Sequence, residues 1–327
     1  MNDPLRTVRD AVREGRFQDA AAALTAMAEP LREGAEWHLL SAMTTWRLGD
    51  YAASRKAALE ARSRFRARGD TDGEMRAEHV AAAGAFGLGD LTAAEEEWSR
   101  VRELARRLRD DLMVARCANN LGNISLYLAR HDAAHGFYRL ARAGFEQLGF
   151  IHGVAETWIN TAITWRDLRH FEDAAAAADA ALETASAAGA PRLVAEALSS
   201  RGEAMAELGD IALGRTQVER GLALARREGD RLAEPDALRI LANIARLDGQ
   251  PAEAVRIARQ ALETAQAVGH PWTIGEVQRD LGAAYLALGK RADAVRAFEA
   301  AAAAFDRLGA TPRANQMRAK AAERLSG

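Results

Sequence analysis

The chain has almost no cysteine: Cys117 stands alone among 327 residues. That excludes an intramolecular disulfide and any zinc site built on several cysteines. Lysine is nearly as scarce. Only Lys56, Lys290 and Lys320 occur, so arginine carries almost all the positive charge. This reads as compositional bias of the source genome rather than chemistry. Neither sign is in excess, with 44 Lys+Arg against 46 Asp+Glu and a net charge of −2. Binding to nucleic acid or to an anionic membrane surface favours a clear basic surplus, so neither is expected. No stretch approaches the roughly 20 uninterrupted apolar residues of a spanning helix. The opening MNDPLRTVRD has no basic segment followed by an apolar run, so no secretion signal is read. A soluble, cytoplasmic protein is expected. Period-two runs of β-branched and aromatic residues are also missing, which leaves no strand signal.

What the sequence does have is a large apolar fraction, 49%, enough to bury a sizeable core. It also has a period. Leu48-Gly49, Leu88-Gly89, Leu208-Gly209 and Leu288-Gly289 share a register with Leu128-Ala129, Leu168-Arg169 and Asp248-Gly249, each 40 residues from the next. A second series, Gly69, Arg109, Gly149, Gly189, Gly229, Gly269 and Gly309, has the same spacing. Two markers per period mean two turns, and so two helices. Glycine closes a helix in the left-handed conformation. Asp50, Asp90 and Asp210, and likewise Asp70 and Asp230, follow directly, where a carboxylate caps the next helix. Pro191, Pro235, Pro271 and Pro312 lie after the second turn, near helix starts.

Within each pair the small and apolar residues keep helical phase. Gln278, Leu281, Gly282 and Tyr285 share one face, and so do Ala294, Phe298 and Ala301. Such a pair cannot bury its apolar face alone, so neighbours must stack. The pattern Leu281-Gly282-x2-Tyr285 with Ala294-x3-Phe298-x2-Ala301 resembles the tetratricopeptide repeat. So do Asn119-Asn120-Leu121-Gly122-Asn123 with Ala134, Tyr138 and Ala141, and Trp158-x2-Thr161-Ala162-x2-Trp165. The 40-residue period is similar to the longer-helix variety found in kinesin light chain, polarity scaffolds, bacterial Rap-type regulators and maltose-activator-like domains.

The resemblance implies an all-α, right-handed solenoid forming one domain over 1–327. Eight pairs are expected near 4–32, 36–68, 73–108, 113–148, 153–188, 192–228, 233–268 and 273–308. A capping helix at 312–325 should follow, solubilised by Arg313, Arg318, Lys320, Glu323 and Arg324. The expected function is a non-enzymatic scaffold holding a peptide or partner segment in a concave groove. The alternative is a ligand-responsive regulator whose winding changes on binding. Self-association stays open.

The face of each first helix opposite its packing stripe should line that groove. Its candidate contacts are Arg76, His79, Phe86, Arg116, Asn119, Asn120, Asn123, Tyr127, Glu156, Asn160, Ile163, Arg166, Glu203, Arg239, Asn243 and Arg246. Asparagine is a mediocre helix former, so its recurrence on one wall has a propensity cost. Its amide both donates and accepts, which suits a peptide backbone. By resemblance, Asn120 matches the family asparagine that contacts peptide, and Asn160 follows one repeat later. Bonding only between neighbouring helices is the plainer alternative. The wall is basic around Arg76 and Arg116 and acidic from Glu196 to Glu207.

Catalytic signals are weak. His131, His135 and His170 lie at turns and read as solvated surface, not metal ligands. Cys117 reads as a buried inert thiol. Asp110-Asp111 sits in a turn without an apolar pocket to raise a pKa. No phosphate-binding glycine loop follows a strand. No enzyme activity, metal or cofactor is expected.

Overall fold

A computed structural model describes residue 3 and residues 5–325, with all their side chains except those of 30, 324 and 325. The expected start of the first pair at residue 4 and the Arg324 charge lie outside that description. The chain divides into two compact units, 1–117 and 118–327. All regular structure among the described residues is helical.

In the first unit, α1 (Arg6–Arg13) and α2 (Phe17–Thr25) form a short pair, followed by a single turn, α3 (Glu29–Arg32). Full-length pairs then begin with α4 (Ala35–Arg47) and α5 (Tyr51–Ala67), then α6 (Thr71–Leu88) and α7 (Leu91–Leu108). Helix α8 (Asp111–Tyr127) contributes its first turns here and its remainder to the second unit. There α9 (His131–Gln147) follows, and α10 (Ile151–Asp167) pairs with α11 (Phe171–Ala187). Helix α12 (Pro191–Glu207) pairs with α13 (Ile211–Glu228), α14 (Ala233–Leu247) with α15 (Pro251–Val268), and α16 (Pro271–Ala287) with α17 (Arg291–Arg307). The last helix is α18 (Thr311–Leu325), which packs on α17.

The turn chemistry accounts for the period. Positive φ recurs every 20 residues from Gly49 to Gly309, and where glycine is absent Arg109 (59°), Ala129 (56°) and Arg169 (61°) take it. Asp50, Asp70, Asp90 and Asp210 accept backbone N–H bonds from Ala53, Gly73, Ala93 and Leu213 at 2.8–3.1 Å. Each carboxylate thus satisfies one of the orphan donors at a helix start.

Pairs close on small residues. Gly122 faces the Tyr138 ring so tightly that a Cβ there would lie 2.4 Å from it. Tyr138, Trp98 and Phe298 are buried, in keeping with packing positions. Consecutive first helices also touch one another: α4 meets α6, and α10, α12, α14 and α16 meet in sequence. Their faces turned away from the second helices therefore form a continuous inner wall within each unit.

Candidate functional site

In the first unit the inner wall is solvated. Arg76 on α6 donates to Asp72 at 2.9 Å and lies 4.0 Å from Glu36 on α4, which is 3.6 Å from Arg9. All of these side chains are at least 30% exposed. Trp46 donates its indole N–H to the Ala83 carbonyl at 3.3 Å and carries the Arg47 guanidinium over its ring. His79 and Phe86 turn toward α7, with ring centroids 6.3 and 5.7 Å from Trp98. The His79 ring nitrogen is 3.8 Å from Cys117 Sγ. Burial depresses the imidazole to about 4 and pushes the thiol up to about 12, so both stay neutral near pH 7. Arg116 is exposed.

The second unit has a different wall. Asn160 on α10 donates to Asn119 on α8 at 3.1 Å, and Asn243 on α14 donates to Glu207 on α12 at 2.9 Å. Arg246 binds back to Asn243. Asn123 accepts from the Tyr138 hydroxyl at 2.8 Å, and Ile163 packs among buried core residues. Glu156 is a partly exposed partner of Arg192 at 3.4 Å.

At the centre is a buried ionic lattice. Arg239, 1% exposed, makes a two-pronged contact with Glu203 at 3.0 and 3.2 Å and reaches Asp280 and Asp236 at 2.8 Å each. Arg166 donates to Asp167 at 2.7 Å, Glu276 at 3.2 Å and Glu203 at 3.4 Å. Arg279 binds Glu276 and Asp280, both at 2.7 Å. The surrounding guanidinium groups outweigh burial and hold the Asp167 and Asp280 carboxyls well below the usual carboxylate range. Buried charges persist only when paired and hydrogen-bonded in this way.

Two parts of this arrangement carry no signal in the sequence, and a third is legible there but not among the candidate contacts: Asp280 holds the inward register of Asn120 and Asn160. Tyr127 stacks on Trp272, centroids 3.7 Å apart and planes 5° from parallel, although Trp272 stands at a helix start. Arg313, expected as a solvated charge on the last helix, is buried, donates to the Leu126 carbonyl at 2.9 Å and pairs with Asp167. Helix α18 thus does more than cap. Of the three histidines read as surface, His170 is exposed as expected, but the other two differ from expectation. The side chain of His131 is only 21% exposed and lies 3.9 Å from Asp167, and His135 sits against Trp165 at 4.2 Å. Burial lowers the His135 pKa.

No protein-family model and no curated protein matches the chain. Solved structures do. A Rap protein complexed with competence and sporulation factor aligns at TM-score 0.66 and 14% identity, covering 98% of each chain. NprR in complex with its cognate peptide NprX gives 0.64 at 14% identity, over 99% of this chain and 97% of that one. Aspartyl phosphate phosphatase F from Bacillus subtilis gives 0.54 at 13%, over 98% and 92%. The chain has the helical-repeat fold of the Rap and NprR proteins. At these identities the likeness is one of architecture, and the inner-wall chemistry must be argued from this chain's own residues.

Proposed function

We propose that this chain is a peptide-binding regulator of the tetratricopeptide type, working in the cytoplasm and without catalytic chemistry of its own. One observation carries the reading. The inner faces of successive first helices present hydrogen-bonding side chains repeat after repeat, from Asn119 and Asn160 to Asn243 and Glu207. Among them the Asn120 amide makes no hydrogen bond to a described residue. A peptide backbone arriving there meets donors and acceptors already fixed on rigid helices, so little ordering entropy is lost. One NprR neighbour was solved with its cognate peptide NprX and one Rap neighbour with competence and sporulation factor, which supports the same use of the fold. The buried carboxylates of the wall, Asp167, Glu203, Glu276 and Asp280, are each held by arginine, which disfavours them as general bases.

A random-peptide display library tests this. Wild type should enrich a consensus that an Asn120→Ala/Asn160→Ala variant of equal melting temperature fails to enrich. Absence of a consensus, or equal enrichment by the variant, overturns the reading. A passive scaffold is the second possibility. The contacts within the second unit between residues more than 100 positions apart favour a ligand-responsive regulator instead. Scattering with and without the selected peptide separates the two, since only a regulator changes its dimensions.

A further inference from the structure

Stacked helix pairs ordinarily touch only their neighbours. Contacts among the described residues of the second unit break that rule, and four of them lie together. Arg166 on α10 reaches Glu276 on α16, 110 residues away, at 3.2 Å. Tyr127 at the end of α8 stacks on Trp272 at the start of α16. Arg313 on α18 pairs with Asp167 on α10, 146 residues away, and donates to the Leu126 carbonyl on α8, 187 residues away, at 2.9 Å. Its guanidinium carbon also lies 5.4 Å from the Trp272 ring centre. One arginine therefore touches a carboxylate, the negative end of a helix and the face of an indole that is itself stacked on Tyr127.

We propose that α18 is a clasp. Arg313 is its pin: seated between Asp167, Leu126 and Trp272, it holds the ends of α8 and α10 to α16, and its withdrawal opens the inner wall of the second unit. The seat suits a pin that comes out. Arg313 Nε is buried with no acceptor, so the seated arginine carries an unsatisfied donor that withdrawal returns to water. Asp167 keeps Arg166 as its counter-ion when Arg313 leaves, so no carboxylate is stranded. Helix α18 packs on α17, the element next to it in sequence, so its pivoting breaks no contact between the repeat pairs. The clasp rests on these contacts alone. That the opened wall receives a peptide rests on the function proposed above, and the two are tested separately.

The test is a distance between nitroxide labels at Glu172→Cys and Arg291→Cys, exposed positions of the second unit, in the full chain without ligand. Cys117 is buried and its thiol is pushed up to about 12, so it resists labelling. Wild type should give one narrow distance. Arg313→Ala should add a longer, broader population with helicity unchanged, and Arg313→Lys should fall between, since lysine keeps the charge but not the planar fork. Asp167→Asn attacks the same contact from the other side and should also open the unit, which covers an Arg313→Ala chain that fails to fold. A distance unmoved by Asp167→Asn and by whichever Arg313 variants fold overturns the clasp, and so does a wild type that is already broad. Failure of the peptide selection with opening intact would remove the peptide reading and leave the clasp standing.

Discussion

The two units share one repeat plan and differ in what their inner walls do with charge. In the first, Glu36 and Arg76 face water at 4.0 Å with 30% and 41% of their side chains exposed. In the second, Glu203 and Arg239 occupy comparable inward positions with 7% and 1% exposed. A solvated pair at that separation contributes between nothing and about 1 kcal/mol. A buried pair contributes little net over an apolar substitute, yet removing one partner leaves a stranded charge. The first wall therefore tolerates change and offers open surface, while the second fixes a particular arrangement of helices.

The contrast is broken most directly at its centre. Arg239→Ala leaves Glu203 and Asp280 with fewer counter-ions in the interior, and should cost about 3–5 kcal/mol in urea unfolding. Arg76→Ala in the first unit should cost at most about 1 kcal/mol in the same assay. Equal losses would mean that the second lattice is hydrated in solution and that the two walls do not differ.

A second pair of variants asks whether the difference is confined to the inner walls. Gly122→Ala in the second unit and Gly87→Ala in the first each place a Cβ 2.4 Å from a tyrosine ring, Tyr138 and Tyr51 respectively. Overpacking of this kind costs about 1–3 kcal/mol. Both melting temperatures should fall by similar amounts, because both units close their helix pairs by the same rule.

That rule was legible in the sequence; the lattice was only half legible. Helix pairs follow from local chemistry: a residue that adopts positive φ, an aspartate after it, and alanine or glycine where two helices meet. Each sits within one repeat and recurs, so periodicity exposes it. The inward register likewise placed Arg166, Glu203 and Arg239 on one wall. Periodicity carries no information, however, on contacts between repeats that are not neighbours. Arg313 looks like any solvated arginine on a terminal helix, and Trp272 like an unassigned aromatic at a helix start. Only their approach to Asp167 and Tyr127 in three dimensions gives them a role. Asn119, Asn123 and Asn243 read as ligand contacts, and each is also bonded to a partner in its own or the adjacent repeat.

The inner wall of the second unit also carries a carboxyl whose titration is shifted upward by its surroundings. Glu196 on α12, with 30% of its side chain exposed, is paired with Arg192 at 2.6 Å, but partial desolvation together with Asp230, Glu156 and Asp236 raises its pKa from the ordinary 4.5 to about 7. Between those values the folded chain holds a proton that the unfolded chain has released, so stability declines as pH rises across that window. Glu196→Gln should flatten the decline, worth on the order of 1–2 kcal/mol, in melting curves taken from pH 5 to 7. An unchanged slope would place Glu196 in water and make the two walls more alike.

The smallest effect tests the turns both units share. Arg109 in the first and Ala129 and Arg169 in the second hold positive φ without glycine, at 59°, 56° and 61°. A non-glycine residue there pays roughly 1 kcal/mol or more in steric strain, partly offset by the extra freedom that glycine gives the unfolded chain. Arg109→Gly, Ala129→Gly and Arg169→Gly should therefore each stabilise by about 0.5 kcal/mol, read as a small rise in urea midpoint. The three gains should be equal across the units, because φ is set by the local turn and not by the wall it faces. A gain at Arg109 with a loss at Arg169 would break that equality. Arg169 lies 3.8 Å from Glu207, the acceptor for Asn243, and such a loss would mean that this pair belongs to the second unit's lattice.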